Sequence, residues 1–341
     1  MIPRKRIWAV ALSLAFALTD SANSSAAAPT TASPLSTTDA TSKPSVIVLI
    51  GAPGEEGFQE KFATWADRWK EVATRGGAKL TTIGREAGST NESLSKFKAA
   101  LDAEPKDGFD DLWVVLIGHG TFDGKEAKFN LAGNDLGATE LSALLEPFHR
   151  RIAIINCASA SAPFINVLSA TNRVIITATK SGSEQNFARY GDHLSAALGD
   201  PESDIDKDGQ VSLLEAHLAA SKRTLDAYQN DGRLPTEHSL IDDNGDKLGT
   251  PSDWFRGIRA TKKAKDGAEP DGLRAHQFCL VPNEADRRLP TALRQQRDEL
   301  ELQIARLRDQ KASIPEDDYY LQLEKILRQL GALYRSVEAK P

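Results

Sequence analysis

The sequence has 341 residues, of which 40% are hydrophobic and 26% are charged, and its formal net charge at pH 7 is −6. A chain of this length can bury one sizeable core and still carry additional segments. The acidic balance, together with the lack of a basic stripe interleaved with aromatic residues, argues against a general nucleic-acid-binding protein.

The first 28 residues have the pattern of a secretory signal peptide. A basic head at positions 4–6 precedes an apolar stretch from Ile7 to Leu18, and small residues follow up to Ala28. This stretch is too short for a membrane-spanning helix, and no later stretch is long and apolar enough to be one. We therefore expect export to the periplasm or the extracellular space, with residues 29–44, rich in Ser, Thr, Ala and Pro, as a linker.

Residues 45–199 alternate between short apolar runs and stretches of helical periodicity. The apolar runs predict strands at 46–50, 79–83, 112–117, 151–156 and 173–178, and the periodic stretches predict helices at 58–74, 91–101, 138–148, 160–168 and 186–198. Continuous apolar runs are typical of strands buried on both faces of a sheet. The alternation predicts an α/β fold with a doubly wound, mainly parallel sheet.

Two of these strands end beside a reactive side chain. The run from Leu112 to Ile117 is followed by Gly118 and His119, and the next apolar run ends at Asn156 and Cys157. The predicted helix between them makes a right-handed crossover, which places both carboxyl ends at one edge of the sheet. Ligands bind at that edge in open α/β sheets, so we expect His119 and Cys157 to face one crevice.

The residue types at this edge suit nucleophilic catalysis by a thiol. A thiol attacks an acyl carbon as the thiolate, and an imidazole such as that of His119 can act as the base that takes its proton. The N–H groups of Gly120 and Cys157 could stabilise an oxyanion. The small residues 158–161 are expected to begin a helix whose positive end favours the thiolate. A structural role for both residues, or a disulfide between Cys157 and Cys279, remains open.

The pattern of an apolar strand ending in His-Gly, then an apolar strand ending in Cys after one polar residue, resembles the caspase-like cysteine peptidases. Residues 178–182 resemble the legumain branch, and the resemblance covers about residues 46–198. It implies a caspase-like α/β/α sandwich and an endopeptidase that acts through a thioester on Cys157, with His119 as its partner and no cofactor for the chemistry. It also implies that Ser181 contacts the residue before the scissile bond. Ile155 replaces the acidic residue that helps legumains to bind asparagine, so that specificity is not implied.

A second motif has the spacing of an EF-hand calcium loop. Residues 204–215, called the Asp204 loop below, have acidic oxygens at positions 1, 3 and 5, Gly209 at position 6 and a glutamate at position 12. Such a loop would hold a structural calcium ion, whereas an acidic surface turn is the alternative. The expected ligands are Asp204, Asp206, Asp208, the backbone carbonyl of Gln210, Ser212 and Glu215.

A similar stretch begins at Asp242 and is called the Asp242 loop (residues 242–250) below. It has Asp, Asn and Asp at loop positions 1, 3 and 5, and Asp253 could stand at position 12. Lys247 replaces the glycine at position 6, where the loop requires a positive φ. The pattern therefore favours an Asx-rich turn over a calcium site.

The C-terminal residues 289–341 are predicted to form a helical hairpin that packs on the core or on a second copy of the chain. Apolar residues mark one helix from Leu293 to Leu307 and a second from Tyr320 to Tyr334, and Pro315 lies between them. The chain thus divides into a signal peptide (1–28), a linker (29–44), a core (45–199), a segment with the Asp204 loop and the last core elements (200–288), and the hairpin.

Three functions remain open for this organisation. The first is an exported cysteine endopeptidase that acts on peptide or protein substrates. The second is a catalytically inactive calcium-binding scaffold or interaction protein with the same fold. The third is a protein with a Cys157–Cys279 disulfide whose sheet binds a small ligand.

Overall fold

The structure is a computed structural model, and it describes residues 43–55, 57–85, 92–267 and 269–338. These residues all belong to one compact unit, Thr41–Pro341. The expected signal peptide and most of the expected linker lie outside the described residues. Within the described ranges, no helix combines the length and the apolar character needed to cross a membrane.

A central sheet of seven strands has the order β10-β9-β8-β7-β3-β1-β2. Strands β1, β2, β3, β7 and β8 are parallel, and β9 runs antiparallel to both β8 and β10. Small additional sheets are formed by β4-β5-β6 and by β11-β12. The strands are β1 Ser45–Ile50, β2 Lys79–Ile83, β3 Leu112–Ile117, β4 Gly120–Phe122, β5 Ala127–Phe129, β6 Leu136–Gly137, β7 Ile152–Asn156, β8 Arg173–Thr177, β9 Leu240–Asp242, β10 Thr250–Pro251, β11 Phe255–Arg256 and β12 Arg259–Ala260.

Helices cover both faces of the sheet. One core lies between the sheet and α1, α5 and α6, and we call it the α1-side core. A second core lies between the sheet and α2, α3 and α4, and we call it the α3-side core. The helices are α1 Phe58–Arg75, α2 Ser93–Asp102, α3 Ala138–Leu145, α4 Pro163–Leu168, α5 Tyr190–Ala197, α6 Leu213–Asn230, α7 Glu284–Arg288, α8 Thr291–Asp309 and α9 Glu316–Glu338. The predicted doubly wound sheet with a C-terminal helical hairpin is confirmed.

Strand β3 shows why the apolar runs form central strands. All six of its residues are buried. Trp113, Val115 and Ile117 point into the α1-side core, whereas the alternate residues point into the α3-side core. Burying one such side chain contributes about 1.5–3 kcal/mol, so a strand of this composition is stabilised only where both faces are covered.

The strand register brings three strand ends into line. Leu116 of β3 pairs with Asn156 of β7, and Asn156 pairs with Thr177 of β8. The residues that follow these strands, including His119 and Cys157, therefore emerge at the same edge. This is the arrangement that the crossover rule predicted.

The hairpin of α8 and α9 docks at the other edge of the sheet. Arg151, which precedes the first residue of β7, pairs with Asp298 of α8 at 2.8 Å. Gln295 of α8 donates a hydrogen bond to the carbonyl of Phe109, which precedes β3. These contacts lie at the amino ends of the parallel strands. The hairpin therefore leaves the edge that carries His119 and Cys157 uncovered.

The segment immediately after His119 forms a β-hairpin. Gly120–Phe122 forms strand β4 and pairs with Ala127–Phe129 of β5. The turn occupies only the residues between these strands, where Asp123 accepts hydrogen bonds from the N–H groups of Lys125 and Glu126. A hairpin thus projects from the end of β3, immediately after His119.

Candidate active site at the carboxyl edge of the sheet

His119 lies in an aromatic environment at the end of β3. The ring centroids of Phe58, Phe62 and Phe187 are 4.8, 5.3 and 5.8 Å from that of the imidazole. The Nε2 atom is 3.1 Å from the carbonyl oxygen of Pro53, in the loop after β1. A carbonyl oxygen only accepts hydrogen bonds, so we assign the proton to Nε2. The ring is thus held on the α1 side of the sheet edge, with Nε2 already engaged.

Cys157 follows β7 directly and is 1% exposed. Its N–H donates a 2.9 Å hydrogen bond to the carbonyl of Leu116 and so extends the parallel ladder by one residue. Burial raises the pKa of the Cys157 thiol to about 12, and the nearby Glu237 carboxylate adds to the increase. In this conformation the thiol keeps its proton at neutral pH.

The first turn of α5 covers the Cys157 side chain. A Cβ atom placed on Gly191 would lie 2.7 Å from the Cβ of Cys157 and 2.7 Å from Cζ3 of Trp65. Only a residue without a side chain allows α5 to approach this closely. Cys157 belongs to the α1-side core, and His119 contacts Phe62 of the same core. The structure therefore brings the two residues to one edge and one face, but the thiol is covered.

A cluster of buried polar side chains lies close to Cys157. The hydroxyl of Tyr190 is 2.7 Å from Nδ1 of His217, and burial lowers the pKa of His217 to about 3, so its ring is neutral. Glu237 accepts hydrogen bonds from the N–H groups of Arg189 and Tyr190 at 2.8 and 2.9 Å. Burial, followed by the charges of Cys157 and Glu237, raises the pKa of Tyr190. Sequence reasoning missed these residues, because no motif links them and only the packing of α5 on α6 joins them.

The two N–H groups predicted to form an oxyanion hole are both engaged. The Cys157 N–H is bonded within the sheet, and the Gly120 N–H donates to Oγ of Ser159 at 3.3 Å. The Ser159 hydroxyl in turn donates to the Gly120 carbonyl at 3.1 Å. A Cβ on Gly120 would lie 2.4 Å from the Ser159 carbonyl oxygen, so this position requires glycine. Either N–H could bind an oxyanion only after these contacts open.

The expectation that a helix begins at the small residues after Cys157 is wrong. Ala160 has φ 52°, in the left-handed region, and its N–H donates to the carbonyl of Glu184. The hydroxyl of buried Thr179 accepts hydrogen bonds from the N–H groups of Ser161 and Ala162 at 2.8 and 3.2 Å. These amides therefore bind a side chain from the segment that follows β8, and α4 starts only at Pro163. The helix that follows Cys157 in sequence therefore does not begin at the thiol.

Ser181 lines an open cleft of 570 Å³. The cleft lies between the β4–β5 hairpin, the start of α4 and the Asp242 loop, and three lysines, Lys125, Lys180 and Lys247, contribute to its lining. Its apolar lining includes Phe122 and Ile165, which pack in or against the α3-side core. The cleft and the Cys157 side chain therefore lie on different faces of the sheet.

The Asp204 loop brings its predicted residues together. Oxygens of Asp204, Asp206 and Asp208 lie within 4.8 Å of one another. Asp204 accepts a hydrogen bond from the N–H of Gly209 at 3.1 Å, and Asp208 accepts one from the N–H of Gln210 at 3.0 Å. Gly209 has φ 90°, as position 6 of such a loop requires. Oxygen ligands at alternating positions suit a hard divalent cation such as Ca²⁺.

Glu215 closes this loop from the first turn of α6. Its fully buried carboxylate accepts hydrogen bonds from the N–H groups of Ile205, Asp206 and Ser212 at 2.7, 3.2 and 2.9 Å. The Ser212 hydroxyl and Glu215 also form a capping box at the start of α6. His276 lies beside the loop, with its Nε2 atom 3.0 Å from Asp206 Oδ2. The carboxylate of Glu215 is thus held at the loop by the loop's own backbone.

The disulfide alternative is wrong. Cys157 and Cys279 are both free thiols. Cys279 lies near the Asp204 loop, and burial followed by the charge of Asp208 raises the pKa of its thiol. The two cysteines therefore belong to different parts of the molecule.

No protein-family model matches the chain, and no curated protein matches it. Among solved structures, the chain is similar to the initiator caspase Dronc of Drosophila, with 12% identity and a TM-score of 0.41 over 60% of this chain and 80% of that one. It is also similar to caspase-1 from Spodoptera frugiperda (12% identity, TM-score 0.39, 59% of this chain and 86% of that one). A Geobacter sulfurreducens protein is similar with 12% identity and a TM-score of 0.38, over 58% and 92% of the two chains. These are similarities of fold.

Proposed function

We propose that this protein is an exported cysteine endopeptidase that cleaves peptide bonds through a thioester on Cys157, with His119 as general base and acid. The observation that carries the proposal is the pairing of β3 with β7 in parallel register. Their carboxyl ends present an imidazole and a thiol on the same face of the sheet. Thiol-based acyl transfer needs an imidazole and a thiol at one site, and this common edge and face support the proposal.

The proposed reaction proceeds in two acyl-transfer steps. His119 takes the thiol proton as the Cys157 sulfur attacks the carbonyl carbon, and the N–H groups of Gly120 and Cys157 stabilise the oxyanion. His119 then protonates the leaving amine, which leaves the acyl group on sulfur. Water, deprotonated by His119, attacks the thioester and releases the carboxylic acid and the thiol.

The described conformation corresponds to a resting state of this enzyme. The His119 Nε2–H is bonded to Pro53, the Gly120 N–H to Ser159, and the thiol lies under Gly191. Substrate binding must therefore displace the first turn of α5 from Cys157 before attack. We further propose that the enzyme is of the legumain type and that Ser181 contacts the residue before the scissile bond. Ser181 follows β8, whose carboxyl end lies next to that of β7, and this supports the proposal.

Labelling with a peptidyl electrophile tests the proposal. We expect wild type and Cys279→Ala to form a covalent adduct, whereas Cys157→Ala forms none and His119→Ala reacts far more slowly. The two cysteine variants are matched controls, because the chain contains only these two thiols. Equal labelling of wild type and Cys157→Ala would contradict the peptidase assignment.

The alternative is a catalytically inactive scaffold on the same fold. The observation that favours it is the burial of Cys157, which is 1% exposed and keeps its proton at neutral pH. A digest of a peptide library separates the two functions. Cleavage that Cys157→Ala abolishes supports the peptidase, and intact peptides at high enzyme concentration support the scaffold.

We propose that the Asp204 loop binds a structural calcium ion in either case. The clustered carboxylates and the buried Glu215 support this assignment. Calcium should raise the melting temperature of wild type and of the control Glu202→Gln, which lies just outside the loop, by clearly more than that of Glu215→Gln. A melting temperature of wild type that calcium leaves unchanged would exclude the site.

We also propose that α9 pairs with a second copy of the chain. Tyr320, Leu327 and Tyr334 are spaced by one heptad and are 50%, 48% and 41% exposed. Leu327→Glu should convert a dimer into a monomer in light scattering, whereas Leu321→Glu, on the same helix but off this stripe, should not. A monomeric wild type at high concentration would exclude the pairing.

A further inference from the structure

The Asp242 loop begins at the last residue of β9, and hydrogen bonds from its backbone N–H groups to its own side chains stabilise it. Asp242 Oδ1 accepts a hydrogen bond from the N–H of Gly245 at 3.1 Å. Asn244 Oδ1 accepts one from the N–H of Asp246, and Asp246 Oδ1 accepts one from the N–H of Leu248, both at 2.8 Å. The side chains at loop positions 1, 3 and 5 are therefore turned toward the inside of the loop.

The backbone of this loop matches that of the Asp204 loop at the two positions that matter for its shape. Position 4 is left-handed in both loops, with φ 63° at Lys207 and φ 83° at Gly245. Position 6 is left-handed in both, with φ 90° at Gly209 and φ 70° at Lys247. The sequence-based objection that Lys247 would prevent this conformation is wrong. The Asp204 loop has lysine at position 4 and glycine at position 6, whereas the Asp242 loop has glycine at position 4 and lysine at position 6.

A second and independent feature of the loop is a buried carboxylate oxygen without a partner. Asp242 is 1% exposed, and within the described part of the chain its Oδ2 atom has no hydrogen-bond partner. The same carboxyl group accepts the Gly245 N–H through Oδ1 and is also hydrogen-bonded to the side chain of Ser169. Buried polar atoms almost always have a hydrogen-bond partner. An oxygen atom without one, in a loop rich in oxygen ligands, therefore points to a cation as its partner.

Two carboxylates hold the loop in place. Both oxygens of buried Asp243 accept backbone N–H groups, from Gly272 and from Arg274 and Ala275. Asp271 accepts hydrogen bonds from the Asp243 N–H and the Thr250 hydroxyl. These carboxylates are therefore occupied, and they position the loop instead of binding within it.

We propose that the Asp242 loop binds a second calcium ion through the carboxylates of Asp242 and Asp246, the amide oxygen of Asn244 and the backbone carbonyl of Leu248. The Nδ2 atom of Asn244 donates to the carbonyl of Glu269 at 2.6 Å, which fixes the amide with its oxygen facing the loop. These are hard oxygen ligands at positions 1, 3, 5 and 7. The loop supplies two carboxylates where the Asp204 loop supplies four, so its affinity should be about tenfold or more weaker.

Calorimetric titration of the full chain with CaCl₂, after removal of metal by a chelator, tests the proposal. We expect two sites of unequal affinity in wild type and in the remote control Asp102→Asn. Asp246→Asn should lose only the weaker site, Glu215→Gln only the tighter one, and the double variant both. Asp246 is half-buried, and retention of the tighter site in Asp246→Asn reports that the variant is folded.

A gain-of-function variant supplies a second readout. Lys247→Gly removes a positive charge and the side chain at the left-handed position, and it should tighten the weaker site by about tenfold. A single site in wild type that Glu215→Gln abolishes, with Lys247→Gly unable to create another, would overturn the proposal. Because calcium binding is measured directly, this result is independent of whether the chain cleaves peptides.

Discussion

The burial of Cys157 makes a quantitative prediction about its reactivity toward a small electrophile that has no peptide portion. The pKa of the thiol is raised to about 12, mainly by burial. At about pH 8 its thiolate fraction is then about 10⁻⁴, compared with about 0.2 for a thiol of ordinary pKa. Ionisation alone should therefore slow alkylation by about 2,000-fold relative to an exposed cysteine. The covering first turn of α5 can only slow it further.

The assay is alkylation of the Cys279→Ala variant by iodoacetamide, followed by mass spectrometry, with the same variant in urea as the exposed reference. Because burial raises the pKa, the folded-state rate should rise about tenfold per pH unit and should not level off near pH 8.5. Glu237→Gln removes the second contribution to the raised pKa. The two Glu237 oxygens accept the N–H groups of Arg189 and Tyr190 separately, and glutamine keeps only one of these acceptors, so unfolding of the variant in urea is measured alongside. The folded variant should react faster than its parent.

Rapid alkylation would refute this reasoning. A folded-state rate within tenfold of the unfolded reference, or a plateau near pH 8.5, would mean that the Cys157 thiol is accessible and that α5 does not cover it. Slow alkylation combined with efficient labelling by a peptidyl electrophile would instead fit a resting enzyme that substrate opens. The two probes together therefore separate a closed active site from an inert buried cysteine.

Three stability predictions follow from the same contacts, and urea unfolding checks each of them. Thr179→Val leaves two buried N–H groups without an acceptor and should cost about 2–4 kcal/mol, whereas a loss below about 0.5 kcal/mol would show that Thr179 does not hold the turn. Gly191→Ala inserts a methyl group 2.7 Å from Cys157 and Trp65 and should lower the free energy of unfolding by about 1–3 kcal/mol. An unchanged free energy of unfolding would mean that α5 is not packed on the thiol. Lys247→Gly removes the strain of a lysine in the left-handed region and should raise the free energy of unfolding by about 0.5–1 kcal/mol without calcium. The control Lys180→Gly, where φ is not positive, should not raise it, and equal effects of the two variants would contradict the assigned conformation.

The strand framework was predictable because its signal is local. The runs that form β1, β3, β7 and β8 are apolar throughout, and such runs are stable only when both faces of a sheet are covered. The handedness of the crossover from β3 to β7 is a general rule. It was therefore possible to place His119 and Cys157 at one edge from the sequence alone, and the hairpin followed from its periodicity and from Pro315.

The state of the candidate site was not predictable, because it depends on contacts between distant segments. The closure of Cys157 results from Gly191 in α5 and Trp65 in α1, and neither residue belongs to the motif that suggested catalysis. The engagement of the Gly120 N–H depends on the rotamer of Ser159. A sequence pattern identifies which groups reach an edge, but it does not determine which of their hydrogen-bonding partners are already occupied.

Lys247 shows how a local rule can fail for a reason that is itself physical. A left-handed conformation costs a lysine about 1–2 kcal/mol. The N–H of Lys247 donates to Oγ of Ser169 and its carbonyl accepts from Nδ2 of Asn166, both at 3.0 Å, and such hydrogen bonds contribute about 0.5–1.5 kcal/mol each. The two contacts, which come from the end of α4 and from the turn after it, are therefore sufficient to offset the strain. Backbone propensity at one position cannot exclude a metal loop when tertiary hydrogen bonds of this size fix the same backbone.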